Sequence, residues 1–535
     1  MVKQGGPEAP VPAESDNASP LWYTGPHKAK IHRLCTPSQV CEQDLPCRLV
    51  QIDGVGKAIV RILLVNPKSR LPIDTRTSPS LGLAYLAAVT EQRGDEVQIH
   101  DGDVEDQLLA SVLREFEPQV VGITANTTQI TAAWRDAELV KSLSNALVVL
   151  GGPHPTSLPE ESAARPSVDV VVHSEGEATW LELLDTWETG CLKQDDSPFS
   201  DLSILRSVAG ITFQNNGREI VNTPNRSPIP VEELNQMPFP AWHHFKLDRY
   251  TNLQPTVDRV DGLSLPILTS RGCPYRCSYC SQIGPRLWRA RSADSVLAEW
   301  RWLVEEKGAA EIGVLDDSFN IDRQRVLEIC RRLVDEKLNH VPWIMINGIR
   351  ANLADEQVLG AMKRAGCRRT AFGVESGNQG ILDSVVDKHL TLDQVRSAFR
   401  AAQAVGLETI GFFIIGMPGE TEATMDDTIR FACELNPMVA NFSIATPFPG
   451  TDMYHTVQAG GRILAETWDD FVFFEGKARF EMPGLPADLV ERKWKEAYRR
   501  FYLRPRRIVR TMVRKETWLR LPRTTRMAWR TVVGS

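Results

Sequence analysis

The chain reads as an α/β protein: a doubly wound parallel sheet, then a partial barrel of six β/α units, then a helical C-terminal segment. Two observations predict this. From residue 58, short unbroken apolar runs alternate with helix-length segments, as expected of parallel strands buried on both faces. The alternation pauses over a proline-containing connector and restarts near residue 259, where the first strand runs into a loop holding three cysteines.

The elements follow in order. Ile59–Val65 is a buried strand ending at Asn66-Pro67, and the helix from Leu81 stops at Gly94. Then come the strand Glu96–His100, a helix near 105–116, the strand Val120–Thr124, a helix, the strand at 146–152 and the short strand Val168–His173. Ligands of such sheets lie beyond the carboxyl ends of the strands. The residues expected there are Asn66, Asp101, Thr124, Asn126, Gly151, Gly152, His154, Glu175 and Gly176, the glycines admitting a bulky planar ligand close to the backbone. Residues 191–258 read as a linker segment, with a hairpin turn at Asn215-Asn216-Gly217 and the stiff run Met237-Pro-Phe-Pro-Ala-Trp-His-His. His243 and His244 read as structural there.

The second series has strand candidates at 266–270, 311–317, 343–347, 369–375, 408–416 and 440–445. Barrel chemistry gathers at C-terminal strand ends, where the cysteine loop stands. The domains expected are a loosely ordered extension (1–56), the doubly wound sheet (57–190), the linker (191–258), the partial barrel (259–460) and a basic, mainly helical region (461–535).

Composition suits a large globular enzyme, at 535 residues, 42% hydrophobic and 24% charged. No apolar run reaches the ~20 residues of a membrane span, and the first residues lack a signal-peptide core, so a cytoplasmic location is expected. Residues 491–535 hold fifteen Lys or Arg against three Glu, a local net of +12 that leaves −19 on the rest. This reads as a helical segment whose arginines lie over an acidic body, and nucleic acid is not an expected partner. Cys35, Cys41 and Cys47 fit no ligand pattern.

The chemistry is concentrated in Arg271-Gly-Cys-Pro-Tyr-Arg-Cys-Ser-Tyr-Cys, where Cys273, Cys277 and Cys280 are spaced C-x3-C-x2-C. Three thiolates fill three corners of a four-iron cube and leave one iron open for a reacting ligand. A zinc site would want a fourth ligand nearby, and the next cysteine is Cys330. A redox C-x-x-C would not need Cys273.

This loop resembles the cluster-binding loop of the radical S-adenosylmethionine (SAM) enzymes. The resemblance implies a [4Fe-4S] cluster on Cys273, Cys277 and Cys280, SAM on the open iron, and Tyr279 near the adenine. Gly373-Val-Glu-Ser-Gly and Gly416-Met-Pro-Gly-Glu resemble strand-end motifs of the same family. SAM contacts are then expected at Tyr279, Asp316, Arg350, Gly373, Glu375, Ser376 and Gly416: Glu375 or Asp316 as acceptors, Arg350 for the carboxylate, the glycines for close approach. Residues 57–190 together with Pro-Phe-Pro-Ala-Trp resemble the cobalamin-binding domain and linker of one subclass, which assigns the nine strand-end residues above to cobalamin. The Asp-x-His-x-x-Gly run that supplies a histidine to cobalt is missing from these residues, so cobalamin without a histidine ligand is implied.

The resemblance spans about residues 57–505 and implies a cobalamin-dependent C-methyltransferase acting on an unactivated carbon of a small, natural-product-like molecule. An electron donor such as flavodoxin or ferredoxin is the expected partner. Ring formation without methylation, and a cobalamin sensor without turnover, are the alternatives. No side chain is assigned a catalytic role, and substrate and oligomeric state are not legible.

Overall fold

The computed structural model describes residues 51–508 apart from 53–57, 70, 72–77, 192–201, 216–217, 251–260, 282–283, 285 and 506. Cys35, Cys41, Cys47, most of the extension, the tip of the Asn215-Asn216-Gly217 turn and the tail beyond 508 lie outside the described residues.

The first sheet holds β1 (Arg61–Asn66), β2 (Glu96–Asp101), β3 (Val120–Thr124), β4 (Leu147–Gly151), β5 (Val170–Val172), β6 (Ile211–Gln214) and β7 (Ile220–Asn222), in the order β2-β1-β3-β4-β5-β6-β7. The first five strands are parallel, with Asn66 level with Asp101 and Thr124 level with Gly151, so their carboxyl ends form one edge. The order reverses between β1 and β3, which makes the crevice beyond Asn66 and Thr124 the topological switch point. The hairpin β6–β7, expected as part of a separate linker, instead extends this sheet antiparallel to β5. A hairpin leaves the outer edge of each of its strands open, and β5 pairs with that of β6.

The unbroken apolar runs have their reason in packing. Ile62 and Leu64 face α1 (Leu81–Arg93), while Leu63 and Val65 face a separate core under α2 (Leu109–Phe116) and α3 (Ile130–Leu143). α1 starts where the Ser80 hydroxyl accepts from the Leu83 N–H and stops at left-handed Gly94. Each fully buried aliphatic side chain contributes roughly 1.5–3 kcal/mol.

The second sheet is an open, all-parallel array in chain order: β8 (Ser264–Ile267), β9 (Glu311–Val314), β10 (Trp343–Met345), β11 (Cys367–Glu375), β12 (Glu408–Ile415) and β13 (Val439–Ile444). Helices between its strands carry side-chain caps at Ser292, Asp322, Asp355, Thr391 and Thr421. The core on the α1 side of the first sheet is continuous with the core of the second. Trp242 of the linker is wholly buried in it, and the Ala241 N–H donates to the Ala84 carbonyl of α1 at 3.0 Å.

The C-terminal helix (Ala487–Tyr502) packs on the helix Glu422–Leu435. Lys493 pairs with Glu422, Asp426 and Glu496, and Arg500 with Asp426. The described part of the basic region therefore lies over acidic side chains of the barrel.

Candidate active site

The three cysteines stand on one loop between β8 and a short antiparallel ribbon partner, with Ser270–Arg271 paired to Arg289–Ala290 across it. The loop is pinned from several directions. Thr269 donates its N–H and hydroxyl to Asp316 at 2.7 and 2.6 Å, and the Ser270 hydroxyl donates to the same carboxylate at 2.5 Å. Ser278 donates its N–H to Val386 and its hydroxyl to Val385, and its carbonyl accepts from Met453. Gly272 at φ +79° supplies the left-handed turn just before Cys273.

Burial first, then Glu375 and Cys273, raise the Cys277 thiol against Lys388 and Arg350. Burial, then Cys277 and Asp317, push Cys280 up to about 12. Two thiols whose ionisation burial disfavours, with Cys273 on the same loop, suit a metal, which takes the thiolates and removes that cost. The donor set therefore fits an iron–sulfur cluster.

Beside the loop lies a buried charged group. Lys388 Nζ donates to Glu375 Oε1 at 2.7 Å, and the Tyr279 hydroxyl bonds the same carboxylate. Burial would lower the Lys388 ammonium, but Glu375 and then Cys277 outweigh it and the pKa is raised. A Cβ on Gly373 would lie 2.4 Å from Glu375 Oε1 and 2.8 Å from Lys388 Nζ, so this glycine makes room for the ion pair. Glu375 itself sits at φ +64°, a left-handed conformation that costs a non-glycine residue about 1–3 kcal/mol. Arg350 stacks over the Tyr275 ring at 3.3 Å and donates to the Lys388 carbonyl at 2.7 Å. Lys388 was not legible from the sequence, because a lone lysine in a connection matches no spacing pattern.

Three residues expected at SAM have protein partners in the structure. Asp316 is fully buried and its carboxylate holds Thr269 and Ser270, so it braces the loop. The buried Ser376 hydroxyl lies 3.2 Å from Thr428 Oγ1 and accepts from Asn378, closing the turn after β11. The Gly416 N–H donates to Glu420 at 2.8 Å, as does that of Met417 at 2.9 Å. Gly416 is needed because a Cβ there would meet Val490 at 2.5 Å.

At the first sheet's edge, Asn66 donates to Asp101 at 2.9 Å, and Gln129 spans the switch point to Asn66 and the Pro67 carbonyl. Asp101 also accepts from Tyr250 of the linker at 2.6 Å, so its carboxylate is a strut. His154 has no exposed surface, its nitrogens lie 3.3 Å from Thr127 Oγ1 and 3.1 Å from Glu161, and Trp468 covers its ring at 4.8 Å. Both ring nitrogens of this enclosed histidine therefore have protein partners. Thr124, Asn126, Gly151, Gly152 and Gly176 remain accessible on the edge. A Cβ on Gly151 would meet nothing closer than 3.8 Å, and one on Gly176 nothing closer than 3.7 Å, so the edge is open above both. A cleft of about 320 Å³ lined by Lys68, Ser69, Ala132, Arg135 and Asp136 opens beside it. The buried Ser69 Oγ in its wall has no hydrogen-bond partner among the described residues. An open strand edge with an unsatisfied hydroxyl beside a cleft fits a large polar ligand such as cobalamin.

The two strand-end edges meet. Gly284, just past the cysteine loop, lies against Ser174, and Gly450, in the loop after β13, lies against Ser157. Glu175, expected as a cobalamin contact, is instead held by Arg289 at 2.6 and 2.9 Å and faces Arg271 at 3.7 Å. Glu177 takes Arg271 at 2.7 Å. The signal for this latch was in the sequence as Ser174-Glu-Gly-Glu, but its partners are about a hundred residues away.

Comparison with known proteins agrees with this architecture. Residues 76–184 match the B12 binding domain and residues 267–432 the radical SAM superfamily. The chain is 34% identical over 464 residues to the uncharacterized methyltransferase PH0819 of Pyrococcus horikoshii, covering 84% of this chain and 94% of that protein. It is 30% identical to the cytidylyl-2-hydroxyethylphosphonate methyltransferase of Streptomyces wedmorensis, over 77% of this chain and 83% of that one. An anaerobic magnesium-protoporphyrin IX monomethyl ester cyclase of Rubrivivax gelatinosus is 29% identical, over 79% and 74%. The solved radical SAM methyltransferase TsrM of Kitasatospora setae, with cobalamin and a [4Fe-4S] cluster bound, shares the fold at TM-score 0.62 and 20% identity, over 84% of this chain and 90% of that one. Two domains, a three-cysteine loop facing an open cobalamin-type sheet edge, and these relatives lead to one conclusion: the chain belongs to the cobalamin-dependent radical SAM methyltransferase family, whose cofactors are a [4Fe-4S] cluster, SAM and cobalamin.

Proposed function

We propose that the protein methylates an unactivated carbon of a small natural-product-like molecule. The observation that supports this reading is the facing of the two strand-end edges, with Gly284 against Ser174 and Gly450 against Ser157, which leaves both cofactors one shared mouth. When bound, the reduced cluster supplies an electron that cleaves SAM to a 5′-deoxyadenosyl radical, and cobalamin supplies the methyl group. Cys273, Cys277 and Cys280 hold the cluster. Glu375 would accept from the SAM amino group and Lys388 would pair with its carboxylate. Tyr279, hydrogen-bonded to Glu375, lines the same wall. Thr124, Asn126, Gly151, Gly152 and Gly176 receive cobalamin. A flavodoxin or ferredoxin delivers the electron.

The kinship with an anaerobic ring cyclase supports a second reading, ring formation with no net methylation. Product mass separates the two. Anaerobic protein with all three cofactors and a reductant is incubated with candidate substrates and deuterated-methyl SAM. A product carrying the deuterated methyl group upholds methylation; deoxyadenosine with an unmethylated, dehydrogenated product overturns it in favour of cyclisation.

A further inference from the structure

Glu91, His243 and His244 converge where the linker crosses α1. Glu91 lies in the last turns of α1, and the histidines form the turn directly after Pro238-Phe-Pro-Ala-Trp. Both imidazole Nε2 atoms approach one oxygen, Glu91 Oε1, at 2.7 and 2.9 Å. The three ligand atoms lie within 4.8 Å of one another.

The group is held from beneath. Trp242 has no exposed surface, Phe245 packs against it at 5.7 Å, and the Ala241 N–H is bonded to Ala84 of α1 at 3.0 Å. The histidines therefore stand on a turn whose both ends are fixed, opposite a carboxylate on a rigid helix. Ligands built on such supports need little reorganisation to close on an ion. Zinc takes imidazole nitrogen at about 2.0–2.1 Å and carboxylate oxygen at about 2.0–2.2 Å, distances this triad reaches by small side-chain movements. Two nitrogen donors of three select a zinc-class ion over magnesium or calcium, which prefer all-oxygen shells. The His243 side chain is 56% exposed, so an ion enters from solvent and water completes its shell.

We propose that Glu91, His243 and His244 form a divalent transition-metal site, distinct from the iron–sulfur and cobalamin sites, that clasps the linker to α1. It would tie the connector between the two domains to the cobalamin domain.

The test uses the cluster-loaded protein, so that Cys273, Cys277 and Cys280 are already occupied. Zinc chloride is titrated in by calorimetry, bound zinc and iron are counted, and zinc K-edge absorption reads the shell. The expected result is one zinc per chain, two imidazoles and no sulfur in the shell, and a zinc-dependent rise in melting temperature. His243→Ala and Glu91→Gln should each weaken binding at least tenfold while melting like the parent in the absence of zinc; His244→Asn replaces either that fails to fold. Sulfur in the shell, zinc binding unchanged in the variants, or no zinc beyond background would overturn the proposal.

Discussion

Glu175, at the carboxyl edge of the cobalamin-type sheet, accepts two hydrogen bonds from Arg289, which lies in the ribbon that closes the cysteine loop. Burial would raise the Glu175 carboxyl, but Arg289, Arg271 and the Ile229 N–H together hold it below its ordinary range. The neighbouring pair, Glu177 with Arg271, doubles the latch. The carboxyl edge of the first sheet thus grips the base of the cysteine loop.

Removing one partner of a mostly buried pair leaves an uncompensated charge, at about 3–5 kcal/mol. Glu175→Ala should lower the urea midpoint of the apoprotein accordingly. The double variant Glu175→Met/Arg289→Met should recover much of that loss. A single variant within ~1 kcal/mol of the parent would show that the latch does not stabilise the assembly.

Cys277→Ala should lose the cluster iron and all 5′-deoxyadenosine formation while still binding cobalamin, because the two sites belong to different sheets. Iron analysis and a cobalamin spectrum of the same sample check both halves. Retained SAM cleavage would refute the three-cysteine assignment.

Lys388→Met should keep the cluster but weaken SAM binding by at least tenfold, since it removes the one ammonium buried beside Glu375. Equilibrium dialysis of SAM against the loaded variant measures this. An unchanged affinity would return the carboxylate-binding role to Arg350.

Burial pushes the Glu420 carboxyl up to about 7, although the N–H groups of Met417 and Gly416 and the Thr424 hydroxyl work in the other direction. The unfolded chain releases this proton near its ordinary value of 4.5, while the folded one keeps it to about 7. The stabilisation is therefore complete below pH 4.5 and fades as pH rises to about 7, by on the order of 3 kcal/mol. Glu420→Gln should flatten that part of the profile; urea midpoints measured from pH 5 to 8 would show it, and an unchanged slope would count against it.

Bound cobalt(II) should show no splitting from a protein nitrogen in electron paramagnetic resonance, and His154→Gln should leave the spectrum unaltered. Both nitrogens of His154 are already engaged, by Thr127 and Glu161. Nitrogen splitting that vanishes in the variant would place His154 on the metal.

The sequence by itself determined whatever depends on local order. Apolar runs of strand length, Gly94 ending α1 and three cysteines in eleven residues report their own conformation or chemistry, since each involves neighbours in the chain. Both sheets and the cysteine loop were legible for that reason. The tertiary structure decided which polar strand-end residues stay open and which brace the protein. Asp101, His154, Glu175 and Asp316 looked equivalent to Asn126 as polar residues at strand ends. They differ because Tyr250, Trp468, Arg289 and Thr269, from 47 to over 300 residues away, reach them first. Lys388 was hidden for the converse reason: an isolated lysine acquires meaning only when folding buries it against Glu375. A buried polar group must find a partner, and only the folded chain shows whether that partner is protein or ligand.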